Sequence, residues 1–167
     1  IRTGDLLDSN GITAFIIEKG MPGFSAVQIK EKLGVRASET AELIFDNVRV
    51  PVENRLGEEG QGFAIAMDGL DGGRINIATC SIGTAQKAIS DATEYTQQRN
   101  QFGNAIADFQ ATQFSLADML TELVAARQMV RLAAFKLDIK DSQAGTYCAM
   151  AKRFATDVGF RICNDAL

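Results

Sequence analysis

Three short stretches carry residue types that could hold or transform a ligand. Residues 57–63 (GEEGQGF) cluster glycines between an apolar run and a helical pattern, the usual place for a phosphate loop. The spacing is neither GxGxxG nor GxxxxGK, and Glu58 and Glu59 would repel a phosphate, so a flexible domain connection is the competing reading. Residues 69–74 (GLDGGR) set Asp71 and Arg74 around two adjacent glycines. Each glycine costs about 1 kcal/mol inside a helix, so the backbone there needs freedom or close approach. Asp71 and Arg74 then stand either at a ligand mouth, where Arg74 could grip a phosphate or stack on a base, or at a helix break that Asp71 caps. Residues 98–103 (QRNQFG) offer a cation and a flat ring, Arg99 and Phe102, between two helical patterns; a plain interhelical turn reads equally well.

Other chemistry is excluded or unmarked. There is no histidine, which removes Ser-His-Asp and Cys-His catalysis and nearly every catalytic zinc site. Glu94 and Glu122 lie within helical patterns and form no acid–base pair, and Arg127 and Arg131 read as bundle residues. The 17 basic and 21 acidic side chains give a net charge of −4 without a basic cluster, which argues against a nucleic-acid partner. No run of apolar residues is long enough to span a membrane. Cys80, Cys148 and Cys163 all fall in helical patterns and read as reduced, buried small hydrophobes of a reducing compartment.

The elements that must position these stretches fall into two styles. Residues 12–18 (ITAFIIE), 27–32 (VQIKEK) and 43–50 (LIFDNVRV) read as strands, with 1–3 as the tail of an earlier one. The alternation in 27–32 predicts one wet face. A turn falls at 20–23, and Pro51 stops the third strand. No proline follows Gln61. Ile75, Ala78, Ile82, Ala85, Ile89, Ala92 and Thr96 form one stripe of a long helix. A second helix carries Phe109, Leu116, Leu120, Leu123, Val130, Ala134 and Leu137 in phase. Its other flank, including Phe114, Met119, Val124 and Ala133, is also apolar and predicts packing on two sides. Asp141 and Ser142 offer an N-cap to a third helix with Ala144, Cys148, Ala151, Ala155, Val158 and Ile162 on one face.

The reading is α+β: part of an antiparallel β-domain over residues 1–60, then an incomplete up-down four-helix bundle over 61–167. The chain opens without Met and closes inside a helical pattern, so it reads as a piece of a longer protein.

Taken together, these stretches resemble the acyl-CoA dehydrogenase family. The matching runs are 21–24 (MPGF), 42–51 (ELIFDNVRVP), 57–63, 69–74, 98–103 and Phe109-Gln110, in family order over essentially the whole chain. The resemblance implies the end of the middle β-domain and most of the C-terminal helical domain. It implies an FAD enzyme that forms an α,β double bond in an acyl-CoA thioester. A glutamate takes the α-proton, the β-hydrogen passes as hydride to the flavin, and electrons leave to an electron-transfer flavoprotein.

By position, the resemblance assigns Arg99 and Phe102 to a loop reaching the FAD of a neighbouring subunit, with Gln101, Ile106, Phe109 and Gln110 as further cofactor contacts. Asp71 and Arg74 match the CoA site, and Leu70 and Gly73 border the acyl pocket. Some branches carry the catalytic glutamate at the position of Gly73; this chain resembles the others, whose glutamate falls beyond Leu167, so no catalytic residue is assigned. The runs 72–78 (GGRINIA) and 150–156 (MAKRFAT) look most like a branch acting on short, branched acyl groups. The resemblance also implies a homotetramer, and a mitochondrial matrix or bacterial cytoplasm. An assembly module on this fold and an acyl-CoA oxidase stay open as alternatives.

Overall fold

The computed structural model describes residues 1–4 and 9–167. The chain divides into two compact units, Ile1–Met67 and Asp68–Leu167.

The first unit is built from short antiparallel pairs. β1 (Ala14–Phe15) pairs with β4 (Arg55–Leu56), and β2 (Phe24–Gln28) forms a hairpin with β3 (Ala41–Phe45). An isolated bridge joins Arg2 and Ile12, where the sequence predicts the tail of an earlier strand. The hairpin register is set by Phe24 opposite Phe45, whose rings lie 5.2 Å apart. The two strands start three and two residues before the expected 27–32 and 43–50 and end four and five residues before them. Regular pairing in 12–18 is confined to Ala14 and Phe15, because β4 offers only two residues. Nearly every residue of β2 and β3 is exposed, on both faces rather than one.

The second unit is helical. α1 (Gly62–Gln98) begins in the first unit and carries most of its length here, followed by α2 (Gln110–Asp138) and α3 (Ala144–Asp165). A two-residue pair, β5 (Asn100–Gln101) and β6 (Asn104–Ala105), joins the first two helices. The core is Ala78, Ile82, Ala85 and Ile89 from α1, Met119, Leu123, Ala126, Val130 and Ala133 from α2, and Cys148, Ala151, Ala155, Val158 and Ile162 from α3. Alanines at six of these fourteen positions let the helices pack closely. The large side chains Leu123 and Ile162 fill the space that remains, and truncating either to alanine costs about 2–5 kcal/mol.

The α1 and α3 stripes match the periodicity. On α2 the buried line runs through Met119, Ala126 and Ala133, between the two predicted flanks. Leu120, Phe114 and Val124 therefore stay exposed, and packing on two sides is absent among the described residues. Cys148 is buried and Cys163 half-buried. Cys80 is exposed, because it lies midway between Ala78 and Ile82 and turns away from their stripe.

The α2–α3 connection is a Schellman turn. Lys140 N–H donates to Leu137 O and Asp141 N–H to Lys136 O, with Lys140 at φ +54°. The N-cap is Gln143 rather than the predicted Asp141 or Ser142, and Asp141 supports α3 from two residues before it. Its Oδ1 accepts from Gln143 N–H at 2.8 Å, its carbonyl accepts from Ala144 N–H, and the helix starts at Ala144.

Candidate functional site

The glycine run 57–63 is a docking turn. Gly60 N–H donates to the buried hydroxyl of Thr13 at 3.1 Å, and Gly62 N–H to Ile12 O at 2.7 Å. Gly60 has φ +87°, and a Cβ there would lie 2.6 Å from Asn10 O; one on Gly62 would lie 2.8 Å from Ile12 O. The glycines admit the neighbouring backbone, so the segment is pinned rather than the flexible connection its composition suggests, and no phosphate cradle forms.

The run 69–74 lies within α1, which passes through it without the helix break that was the competing reading. Arg74 Nη1 donates to Asp71 Oδ1 at 2.7 Å, with both side chains partly exposed. Asp71 continues the buried stripe one step below Ile75 and faces the first turn of α3. A Cβ on Gly145 would stand 3.0 Å from Asp71 Oδ2. The remaining N–H groups of Arg74 have no acceptor among the described residues. Leu70 is 46% exposed on the open side, and around Gly69, Gly72 and Gly73 nothing lies within 4 Å of where a Cβ would be. An arginine stands beside a length of helix cleared of side chains.

The run 98–103 closes α1. Arg99 N–H still donates to Tyr95 O, and Arg99 O accepts from Ile106 N–H. Phe102 and Gly103 form the two-residue turn of the β5–β6 hairpin at φ +52° and +83°, a type I′ geometry. Phe102 is 91% exposed, with its edge toward Phe109 at 6.5 Å between centroids. Gln101 and Gln110 are exposed, and Ile106 and Phe109 half-buried. Gln113 Nε2 latches the hairpin's exit by donating to Ala107 O at 2.9 Å. The six residues assigned to cofactor contact thus share one segment, from the end of α1 through the hairpin to the start of α2. Arg99 has no ion-pair partner among the described residues, and α2 opens beside it with no side-chain cap. A free cation, an exposed ring and an uncapped helix N-terminus suit the phosphates and flat rings of FAD.

The structure does not bring the two sets together. Arg74 and Arg99 are separated by most of α1, roughly 37 Å at about 1.5 Å per residue. The other candidates are bundle residues: Arg127 Nη2 donates to Gln86 Oε1 at 2.8 Å, Glu122 accepts from Arg161 at 2.8 Å, and Glu94 accepts from Gln98 at 3.2 Å.

Residues 60–167 match the family model described as acyl-CoA dehydrogenase, C-terminal domain. The chain belongs to the acyl-CoA dehydrogenase family. It is 48% identical to the mitochondrial isobutyryl-CoA dehydrogenase of Dictyostelium discoideum over 167 residues, all of this chain and 40% of that one. It is 50% identical to the Bos taurus isobutyryl-CoA dehydrogenase over 157 residues, 94% of this chain and 38% of that one. The solved structure of butyryl-CoA dehydrogenase from Megasphaera elsdenii superposes with a TM-score of 0.92 at 46% identity, covering 99% of this chain and 43% of that one. The chain thus spans about two fifths of the length of the curated relatives it matches. Short antiparallel strands followed by three helices are the fold it shares with that acyl-CoA dehydrogenase structure.

Sequence reasoning missed Gly145 as a neighbour of Asp71. The signal was present: counting back from Ile75 by the same spacing reaches Asp71, so its side chain had to face a neighbouring helix.

Proposed function

We propose that this chain is part of an FAD-dependent dehydrogenase that introduces an α,β double bond into a short, branched acyl-CoA, isobutyryl-CoA in the first instance. The observation that carries the reading is the cleared stretch of α1. Gly69, Gly72 and Gly73 destabilise a helix in which no neighbour requires them, while Arg74 keeps donors that have no acceptor among the described residues. Such a surface suits an extended, phosphate-bearing ligand, with Asp71 and Arg74 toward the CoA portion and Leu70 and Gly73 toward the acyl group. The similarity to isobutyryl-CoA dehydrogenases supports a branched acyl group.

When bound, FAD supplies the hydride acceptor. The residues of this chain bind and orient. Arg99 offers a charged donor to a phosphate, Phe102 and Phe109 offer ring surface, and Gln101, Ile106 and Gln110 complete the contact. The distance between Arg74 and Arg99 means that one copy's hairpin segment serves another copy's site, so the working form is a homo-oligomer, a tetramer by resemblance. An electron-transfer flavoprotein is the proposed electron acceptor, in a mitochondrial matrix or a bacterial cytoplasm.

Gly73 offers no base, and the Asp71 carboxylate is engaged by Arg74, so the 167 residues by themselves are expected to be inactive. The test is a flavin absorbance spectrum of the purified chain and of the full-length protein, each titrated anaerobically with isobutyryl-CoA. Bleaching in the full-length protein alone is the expected outcome. A yellow 167-residue chain that bleaches would overturn the assignment of the base outside it. A full-length protein that binds no flavin would sink the dehydrogenase reading.

A second reading is favoured by one observation. Phe114, Leu120 and Val124 are large apolar residues exposed on α2, as on an assembly surface, and that role is compatible with the enzyme.

A further inference from the structure

Gly145 is the second residue of α3, and the place where its Cβ would stand is filled from across the bundle. Asp71 Oδ2 lies 3.0 Å from that point and Oδ1 3.6 Å. The backbone at Gly145 is ordinary helix, outside the positive-φ region, so nothing in its conformation calls for glycine. Alanine would favour the helix by about 1 kcal/mol. The missing methyl group is explained by the carboxylate that occupies its space.

Two further features tie this contact to Arg74. Asp141 accepts from Gln143 N–H, but Gln143 itself caps none of the first N–H groups of α3, and their partial positive charge lies beside the Asp71 carboxylate. One turn on, Cys148 is fully buried, and its thiol is pushed up from its ordinary value by that burial and then by the Asp71 charge, with Arg74 acting in the opposite sense. Asp71 therefore faces the start of α3 while it holds Arg74.

We infer that Gly145 is a positioning residue for Arg74: the room it leaves seats Asp71 against α3, and Asp71 seated there aims the guanidinium at the acyl-CoA. The inference rests on the proposed role of Arg74 in binding that substrate. An added methyl displaces the carboxylate by a few tenths of an ångström or swings it to another rotamer, and the guanidinium moves with it.

The test uses the full-length flavoprotein and reads two quantities, unfolding stability and the Kd for isobutyryl-CoA. Gly145→Ala is compared with Gly83→Ala, a site on α1 where a Cβ meets nothing, as the control for helix propensity. Gly145→Ala is expected to hold or raise stability while weakening acyl-CoA binding about five- to tenfold; Gly83→Ala raises stability alone. The double variant Gly145→Ala/Asp71→Asn should bind no more weakly than Asp71→Asn by itself, because both changes act through one contact. Unchanged affinity in Gly145→Ala, affinity lost only in step with stability, or losses that multiply in the double variant would each overturn the inference. Arg74→Gln separates the two levels. If it weakens binding while Gly145→Ala does not, the inference fails and the site stands; if Arg74→Gln is silent, both fail.

Discussion

Arg74 lies within α1 and Arg99 just past its end, roughly 37 Å apart, far beyond the reach of either side chain. Arg74 is tethered to Asp71, whereas Arg99 leads into the β5–β6 hairpin. If both guanidinium groups serve one reaction, they come from different copies of the chain.

That geometry predicts complementation between variants. Arg74→Gln and Arg99→Gln should each lower activity at least about tenfold, the usual loss when a charge-assisted hydrogen bond worth about 1.5–3 kcal/mol is removed. Co-expressed, they form hybrid oligomers in which some sites draw an intact Arg74 from one copy and an intact Arg99 from the other. Activity of the purified hybrid should exceed that of either parent variant several-fold. A hybrid no better than its parents would mean that both arginines act within one copy.

The cleared stretch of α1 predicts a trade between stability and binding. Gly73→Ala adds a methyl group where nothing in the chain stands, so it should stabilise the full-length protein by about 1 kcal/mol in denaturant unfolding. The same methyl group enters the proposed acyl pocket, and the Kd for isobutyryl-CoA should rise. Tighter or equal binding in Gly73→Ala would remove that surface from the site.

Much of this arrangement is legible in the sequence where one period governs several turns. The 3-4 spacing from Ile75 to Thr96 yields the buried face of α1, and the run from Ala144 to Ile162 yields that of α3 except for the buried Gly159. It fails where two apolar flanks compete, as on α2, because periodicity cannot say which flank meets a neighbour within the chain. It also fails in the strands. There the register is fixed by a cross-strand pair, Phe24 with Phe45, that no local pattern encodes. Gly60 and Gly62 are visible as glycines, but their reason, the backbone of residues 10–14 a few ångströms away, is non-local. The same holds for Gly145 and Asp71. The chemistry of Arg99 and Phe102 is legible as a cation beside a ring, yet only the hairpin explains how both reach outward together.

Phe102 occupies a left-handed position, φ +52°, that an aromatic residue adopts at a cost and that asparagine tolerates well. Phe102→Asn turns the loop into the Asn-Gly sequence that type I′ turns favour. The variant should stabilise the hairpin by about 0.5–1 kcal/mol and lower FAD affinity, since the exposed ring is lost. Unfolding of the flavin-free protein reads the first effect, and flavin fluorescence titration reads the second. A variant that gains stability and keeps its FAD affinity would show that the ring has no part in holding the cofactor.

The clasp between α2 and α3 should respond to acid in a defined direction. Lys136 Nζ donates to Asp141 Oδ2 at 2.8 Å and lies 4.5 Å from the centre of the Tyr147 ring. The hydrogen bond from Lys136, then that from Gln143 N–H, holds the Asp141 carboxyl below its ordinary range. The hydrogen bond to Asp141 likewise raises Lys136 above the usual lysine value. A carboxyl depressed in the folded state contributes stability that is complete above its ordinary unfolded value and disappears as pH falls through its folded one. A raised lysine contributes stability that is complete below its unfolded value and disappears as pH rises through its folded one. Both contributions are therefore present at neutral pH. Asp141→Asn should melt below the parent at pH 7, by a margin that stays level between about pH 5 and 9 and closes as acid protonates Asp141 in the parent. A margin that persists unchanged to pH 2 would show that it does not come from the charge on Asp141, since an asparagine oxygen still accepts from Gln143 N–H.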